Sequence, residues 1–275
     1  MPSSVSPAAP AFTAQALHPS PYVHRFIPAR TQRPRIRLFL FPFAGASASV
    51  YREWPARFDH DHEVLALQLP GRGSRLAEPA HQDYRRLVAE IAEAVRGEVA
   101  DVPYAFFGHS MGALLAFQVA CHFATRGIRP PECLFLSGRK APHLPGTRLP
   151  VAQMSDGDFI EELRRMEGTP PALLQNRELM ALLLPTVRAD FLLLDDWQRQ
   201  APSRPERAPL RVPIHVLVGR RDPHCSPEDG ALWDAYTDGN FELLEYNGGH
   251  FFVQSHQSRV IADVRQRLDA RLVGA

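Results

Sequence analysis

Cysteine and lysine are scarce in this 275-residue chain, which holds Cys121, Cys133 and Cys225 and a single lysine, Lys140. Three cysteines, an odd number without metal-ligand spacing, point to neither a disulfide framework nor a zinc site, and they fit a reducing, cytoplasmic setting. No apolar run approaches the length of a membrane span. An excess of one charge is lacking too: 31 Lys and Arg stand against 30 Asp and Glu, a net +1. Nothing in that balance calls for nucleic acid or for a strongly charged ligand. Acidic residues are missing altogether before Glu53, and the first 34 residues are rich in Pro, Ala and Ser. They lack the charged start and apolar core of a secretory signal. Pro19, Pro21 and Pro28 would break the amphipathic helix of a transit peptide. Residues 1–34 are therefore expected as a disordered or loosely docked extension, and 35–275 as the folded domain, for which 45% hydrophobic residues supply an ample core.

What is there is concentrated in Phe106-Phe107-Gly108-His109-Ser110-Met111-Gly112-Ala113. An apolar strand stops at Gly-His-Ser-Met-Gly and turns directly into an apolar helix, Ala113 to Ala120. Gly-x-Ser-x-Gly between a strand and a helix is the nucleophile elbow, a sharp turn that lifts a serine hydroxyl above the sheet. The five-residue pattern alone recurs by chance; its strand-turn-helix setting gives it weight.

The rest of the chain alternates in the same way. Ile36–Phe43, Val64–Leu69, Cys133–Gly138, Ile214–Gly219 and Phe241–Tyr246 read as strands, with helices over Tyr84–Val99, Pro227–Tyr236 and His256–Leu272. Repeated strand-helix units imply a mostly parallel sheet with helices on both faces. The rhythm breaks between about 150 and 211. Ser155 and Asp158 form a capping box for one helix, and the Leu-rich stretch Asn176–Trp197, with Pro185 inside, makes a second. This insertion is expected as a lid over the C-terminal edge of the sheet, where open α/β sheets bind ligands.

A serine hydroxyl needs a base, and the base an orienting acid. In this kind of fold the chain order is Ser, then Asp or Glu, then His. His250 follows the last strand after the turn Asn247-Gly248-Gly249 and is the expected base; His215 reads as a core residue, and His224 and His256 are weaker candidates. Asp222 follows Ile214–Gly219 and is the expected acid, because the loop Ser137–His143 one strand earlier holds no carboxylate. Oxyanion donors are expected from the Met111 N–H and from the loop after the first strand, with Ala44 ahead of Gly45. Phe43, His109 and Phe251 are expected to line the substrate pocket, although His109, adjacent to the serine, also fits a structural role. No metal ligand set accompanies these residues.

Leu40-Phe41-Pro42-Phe43-Ala44-Gly45, Gln68-Leu69-Pro70-Gly71-Arg72-Gly73, the elbow, Leu136-Ser137-Gly138-Arg139, Leu184–Phe191 and Gly248-Gly249-His250-Phe251-Phe252 stand in one order along the chain. Together they resemble the type II thioesterases, free-standing editing enzymes of polyketide and nonribosomal peptide assembly lines. The resemblance covers about residue 35 to the C-terminus. It departs at Phe43, where members usually carry His, and at Ala46, where they usually carry a second Gly.

The resemblance implies an α/β-hydrolase fold and hydrolysis of acyl thioesters held on the phosphopantetheine arm of acyl or peptidyl carrier proteins. It implies no cofactor beyond the arm that the partner brings, no nucleic acid or membrane, and a monomer. Because carrier proteins are usually acidic, Arg72, Arg75, Arg139, Arg199 and Arg204 are candidates for a docking patch. A medium-chain fatty acyl thioesterase or a carboxylesterase on the same fold is the alternative activity. A non-catalytic carrier-binding protein is the alternative of another class.

Overall fold

Successive side chains of a β-strand point to opposite faces, and that alternation distributes the apolar runs over two cores. The computed structural model describes residues 20–26, 33–99, 101–146, 149–166, 174–201 and 210–273. Seven strands form one sheet: β1 (Val23–Arg25), β2 (Ile36–Phe41), β3 (His62–Leu67), β4 (Tyr104–His109), β5 (Leu134–Ser137), β6 (Ile214–Gly219) and β7 (Phe241–Tyr246). Their order is β1-β3-β2-β4-β5-β6-β7. Every pairing is parallel except that of β1 with β3.

Phe39, Phe41 and Phe106 pack on one face, against α1 (Tyr84–Arg96) and α2 (Met111–Thr125). Leu38, Leu40 and Phe107 pack on the other, under Val260, Ile261, Val264 and Leu268 of α7 (Gln257–Val273). β4 is buried along its whole length, which is why its sequence is an unbroken apolar run rather than an alternating one.

Between β5 and β6 the chain builds the expected insertion from α3 (Asp156–Arg165) and α4 (Arg177–Gln200). Phe159 and Leu163 of α3 and Met180 and Leu184 of α4 share a third, smaller core with Val151 and Leu174. Both helices start at side-chain caps: Ser155 Oγ accepts the Asp158 N–H at 3.2 Å and Asn176 Oδ1 the Leu179 N–H at 3.0 Å. Such a cap contributes about 1 kcal/mol. The fold is that of an α/β-hydrolase, as expected.

Several boundaries differ. Of the extension expected through residue 34, residues 20–26 are packed on the domain: β1 extends the sheet, and the buried Tyr22 donates its hydroxyl to Glu90 at 2.5 Å. Residues 1–19 and 27–32 lie outside the described residues. β2 stops at Phe41, because Pro42 has no N–H for the ladder. The helix expected over Pro227–Tyr236 is a short α5 (Pro227–Ala231) followed by a 3-10 turn, Leu232–Tyr236, that buries Trp233 and Tyr236. The closing helix is preceded by a separate turn of helix, α6 (Phe252–Ser255).

Candidate active site

The parallel strands all end on one edge of the sheet, and the expected site residues sit on the loops leaving that edge. Ser110 follows β4 with φ 54° and ψ −112°, the only non-glycine residue with positive φ among the described residues. Such a conformation costs on the order of 1–3 kcal/mol and persists only where the surroundings over-determine it. They do: the Ser110 N–H donates to Ser137 O at 2.8 Å, and Ser110 O accepts from Ala113 and Leu114 at the start of α2.

Both elbow glycines are required by space rather than by φ. A Cβ on Gly108 would lie 2.2 Å from Gly112 O, and one on Gly112 would lie 2.1 Å from Phe41 O. α2 thus starts in contact with the backbones of β2 and β4. Gly112→Ala is expected to prevent this packing, giving loss of soluble protein or a fall in Tm of at least several degrees in a thermal melt. A melt within a degree of wild type would show that the helix start is not tightly packed.

The loops after β6 and β7 are joined before any side chain is considered. Arg220 N–H donates to Tyr246 O at 2.8 Å and Arg221 N–H to Gly248 O at 2.9 Å. Gly219 allows this approach, since its Cβ would lie 2.5 Å from Gly249 O. Asp222 and His250 are thereby brought together, with His250 Nδ1 2.8 Å from Asp222 Oδ2. The Asp222 side chain is fully buried, and its other oxygen accepts the His224 N–H at 2.8 Å. A carboxylate at Nδ1 holds the proton there and leaves Nε2 as the acceptor.

Ser110 and His250 line the same cavity, of about 410 Å³, with Ala44, Phe43 and Phe251. Met180, Val187 and Phe191 of the insertion supply its apolar cover. The volume lies within the range usual for small-ligand sites. Burial pushes the Cys133 and Cys225 thiols up to about 12, so neither offers a thiolate in competition with the serine.

His109 does not line this cavity. It ends β4 fully buried, with Nδ1 2.9 Å from Ser137 Oγ. Burial, and then the neighbouring His250, hold it well below the usual histidine range, so it stays neutral. Its ring lies beneath the site, against Phe43, His250 and Phe251 at centroid distances of 5.8, 5.0 and 5.6 Å. Gly138, with φ 60°, leaves room for it, because a Cβ there would lie 2.6 Å from His109 Cε1. Phe43 joins this aromatic group and meets Phe251 edge to face at 5.2 Å. His215 is a core residue, stacked on Phe135 and hydrogen-bonded to Glu242 at 2.9 Å.

In the loop after β2, the Gly45 N–H donates to Asp190 Oδ2 of α4 at 2.7 Å. That leaves Ala44 as the oxyanion candidate of the pair, beside the Met111 N–H at the first position of α2.

Most of the arginines considered for a partner patch are committed elsewhere. Arg72 is 3% exposed and is held by Asp190 through two bonds of 2.5 and 2.7 Å. Arg75 is buried against Tyr22 and paired with Glu78. Arg139 lines the cavity with its guanidinium 5.3 Å from the Trp197 ring, and burial pulls it down to about 10. Arg199 is exposed and 3.5 Å from Asp196, and Arg204 lies outside the described residues.

Sequence reasoning missed the Arg72–Asp190–Gly45 connection, whose members are 118 and 145 residues apart. It also missed an acid-histidine-acid cluster at the start of β3, where His62 lies between Asp59 and Asp269 at 2.7 and 3.1 Å.

Comparison with known proteins bears on what this geometry does. The family described as "Thioesterase domain" matches residues 36–268. Linear gramicidin dehydrogenase LgrE of Brevibacillus parabrevis is 36% identical over 264 residues, covering 94% of this chain and 98% of that protein. Thioesterase PikA5 of Streptomyces venezuelae is 36% identical over 260 residues, covering 92% and 89%. Among solved structures, the type II thioesterase BorB from the borrelidin biosynthetic cluster superposes with a TM-score of 0.80 at 34% identity, covering 92% of this chain and 99% of BorB.

Proposed function

Since the chain belongs to the thioesterase family, as an α/β-hydrolase of the type II branch, we propose that it releases acyl groups held as thioesters on the phosphopantetheine arm of carrier proteins, with Ser110 as nucleophile. The observation that carries the assignment of roles is the placement of Ser110 and the Asp222-bound His250 around one cavity under an apolar cover.

Ser110 Oγ attacks the thioester carbonyl carbon while His250 Nε2 takes its proton. The C–S bond breaks, and the arm leaves as a thiol carrying that proton, which gives an acyl-serine ester. A water molecule, deprotonated by the same Nε2, attacks the ester; Ser110 recovers the proton and the acid departs. The negative charge on the carbonyl oxygen falls to the N–H groups of Met111 and Ala44. Asp222 orients the imidazole and stabilises its cation without taking the proton.

The dehydrogenase name of LgrE is not carried over. No Gly-x-Gly-x-x-Gly occurs in the sequence, and that pattern is what cradles a dinucleotide pyrophosphate after a strand. The biosynthetic cluster named for BorB supports a biosynthetic intermediate as the substrate. Among the described residues, Arg199 is the exposed candidate contact of the arginines considered for a partner patch.

The substrate class is tested by comparing kcat/KM for a carrier-bound acyl thioester with that for an oxygen ester of the same acyl group. A preference for the carrier thioester is expected. A preference for the oxygen ester would favour the carboxylesterase alternative and overturn the editing role.

A further inference from the structure

We propose that Asp190, on the lid helix, is a positioning residue for the oxyanion turn, an inference that rests on the roles assigned to Ser110 and Ala44 above. The turn Phe43-Ala44-Gly45-Ala46 is closed by the Ala46 N–H donating to Phe43 O at 3.0 Å, with Gly45 at φ 76°. Glycine with positive φ at the third position belongs to a turn whose central peptide, between Ala44 and Gly45, is flipped relative to the commonest type. Flipping it back would change ψ of Ala44 and φ of Gly45 and replace the Gly45 N–H with the Ala44 carbonyl, and the Ala44 N–H, in the preceding peptide, would shift with the turn. Asp190 decides between the two. Its Oδ2 accepts the Gly45 N–H at 2.7 Å, and a carbonyl in the same place would face a carboxylate.

Arg72 fixes the carboxylate in turn, gripping both oxygens at 2.5 and 2.7 Å while its Nε donates to Pro70 O at 3.1 Å. Asp190 is 1% exposed, so its orientation is set by these bonds and not by solvent. Neighbouring residues of α4 touch the same two loops. Val187 Cγ2 lies 3.0 Å from where a Gly45 Cβ would be, and Thr186 Oγ1 donates to Gly71 O at 2.6 Å. Residues 186, 187 and 190 share one helix face, so a single face of the lid holds both the oxyanion turn and the loop after β3.

A buried ion pair of this kind is often no more stabilising than an apolar pair of similar size. Here it gives one backbone N–H a fixed acceptor. Positioning and mere stabilisation therefore separate experimentally.

The test compares two double variants, Arg72→Met/Asp190→Leu and Arg72→Met/Asp190→Asn. Both remove the buried charges, and only the second keeps an acceptor for the Gly45 N–H. Each is assayed for kcat and KM with p-nitrophenyl acetate, whose cleavage by Ser110 uses the same oxyanion donors whatever the natural acyl donor. Loss of one oxyanion donor costs about 10²–10³ in turnover; partial misplacement is expected to lower kcat of the Leu variant about tenfold to a hundredfold below that of the Asn variant. KM is expected to agree within about twofold, as a loss confined to the transition state requires. Equal kcat for the two variants overturns the inference. Thr186→Val, which cuts the lid's bond to Gly71 but not the one to Gly45, is expected to keep kcat near wild type; a loss as large as that of the Leu variant would assign the effect to lid anchoring in general and overturn the inference too. Failure of the thioester preference with these outcomes intact would overturn the substrate reading alone.

Discussion

Ser110→Ala is expected to leave a folded protein whose hydrolysis of acyl thioesters falls by about 10⁴–10⁶, the range for loss of a serine nucleophile whose binding site remains. The fold should tolerate the change. The strained backbone of Ser110 is held by its N–H to Ser137 and by its carbonyl at the start of α2, and neither bond uses the side chain. Alanine at φ 54° is as strained as serine, so the melting temperature should move little. The measurement is the single-turnover rate on a carrier-bound acyl group beside a thermal melt. Wild-type turnover by a folded Ser110→Ala protein would remove the mechanism.

Asp222→Asn is expected to lower kcat by about 10⁴ with little change in KM, the effect known for an orienting aspartate made neutral. The reason lies in two bonds. Oδ1 of Asp222 accepts the His224 N–H and Oδ2 faces His250 Nδ1, both at 2.8 Å. A carboxylate accepts at both positions; an asparagine accepts at one and donates at the other. If its oxygen keeps the His224 N–H, its NH₂ group meets Nδ1 and makes that nitrogen the acceptor. The ring proton then sits on Nε2, the wrong tautomer for removing a proton from Ser110. Steady-state kinetics of the folded variant decide it. A loss below tenfold would move the orienting role to another residue.

What was legible in the sequence was local and periodic. The elbow could be read because β4 is buried on both faces and so appears as a solid apolar run, broken at Gly108 just before the serine and followed by Gly112 in the first turn of α2. Asp222 and His250 could be placed because each follows the end of a parallel strand, and parallel strands end on the same edge. The helices of the insertion were visible through the cap at Ser155 and through the apolar content of α4.

β1 escaped notice because three residues carry too little pattern, and two of them are His24 and Arg25. His109 was read partly as a pocket residue; as the last residue of β4 it is buried under the site, bonded to Ser137 and packed on the Phe43, His250 and Phe251 rings. Arg72 looked like a surface cation in a glycine-rich loop. Its partner Asp190 lies on a helix 118 residues away, a pairing that no local spacing announces. Phe43, in place of the usual histidine, does not reach into open space. It packs on His109 and Phe251 and so makes the floor beside the oxyanion turn apolar.

The central claim is that the acyl group passes through Ser110, and mass spectrometry of the enzyme quenched during turnover tests it most directly. With Asp222→Asn to slow the chemistry and a carrier-bound acyl thioester as donor, the expected result is a mass increase equal to the acyl group less one hydrogen, on the peptide containing Ser110 and absent from Ser110→Ala. An acyl group found on another residue, or continued thioester hydrolysis by Ser110→Ala, would contradict it.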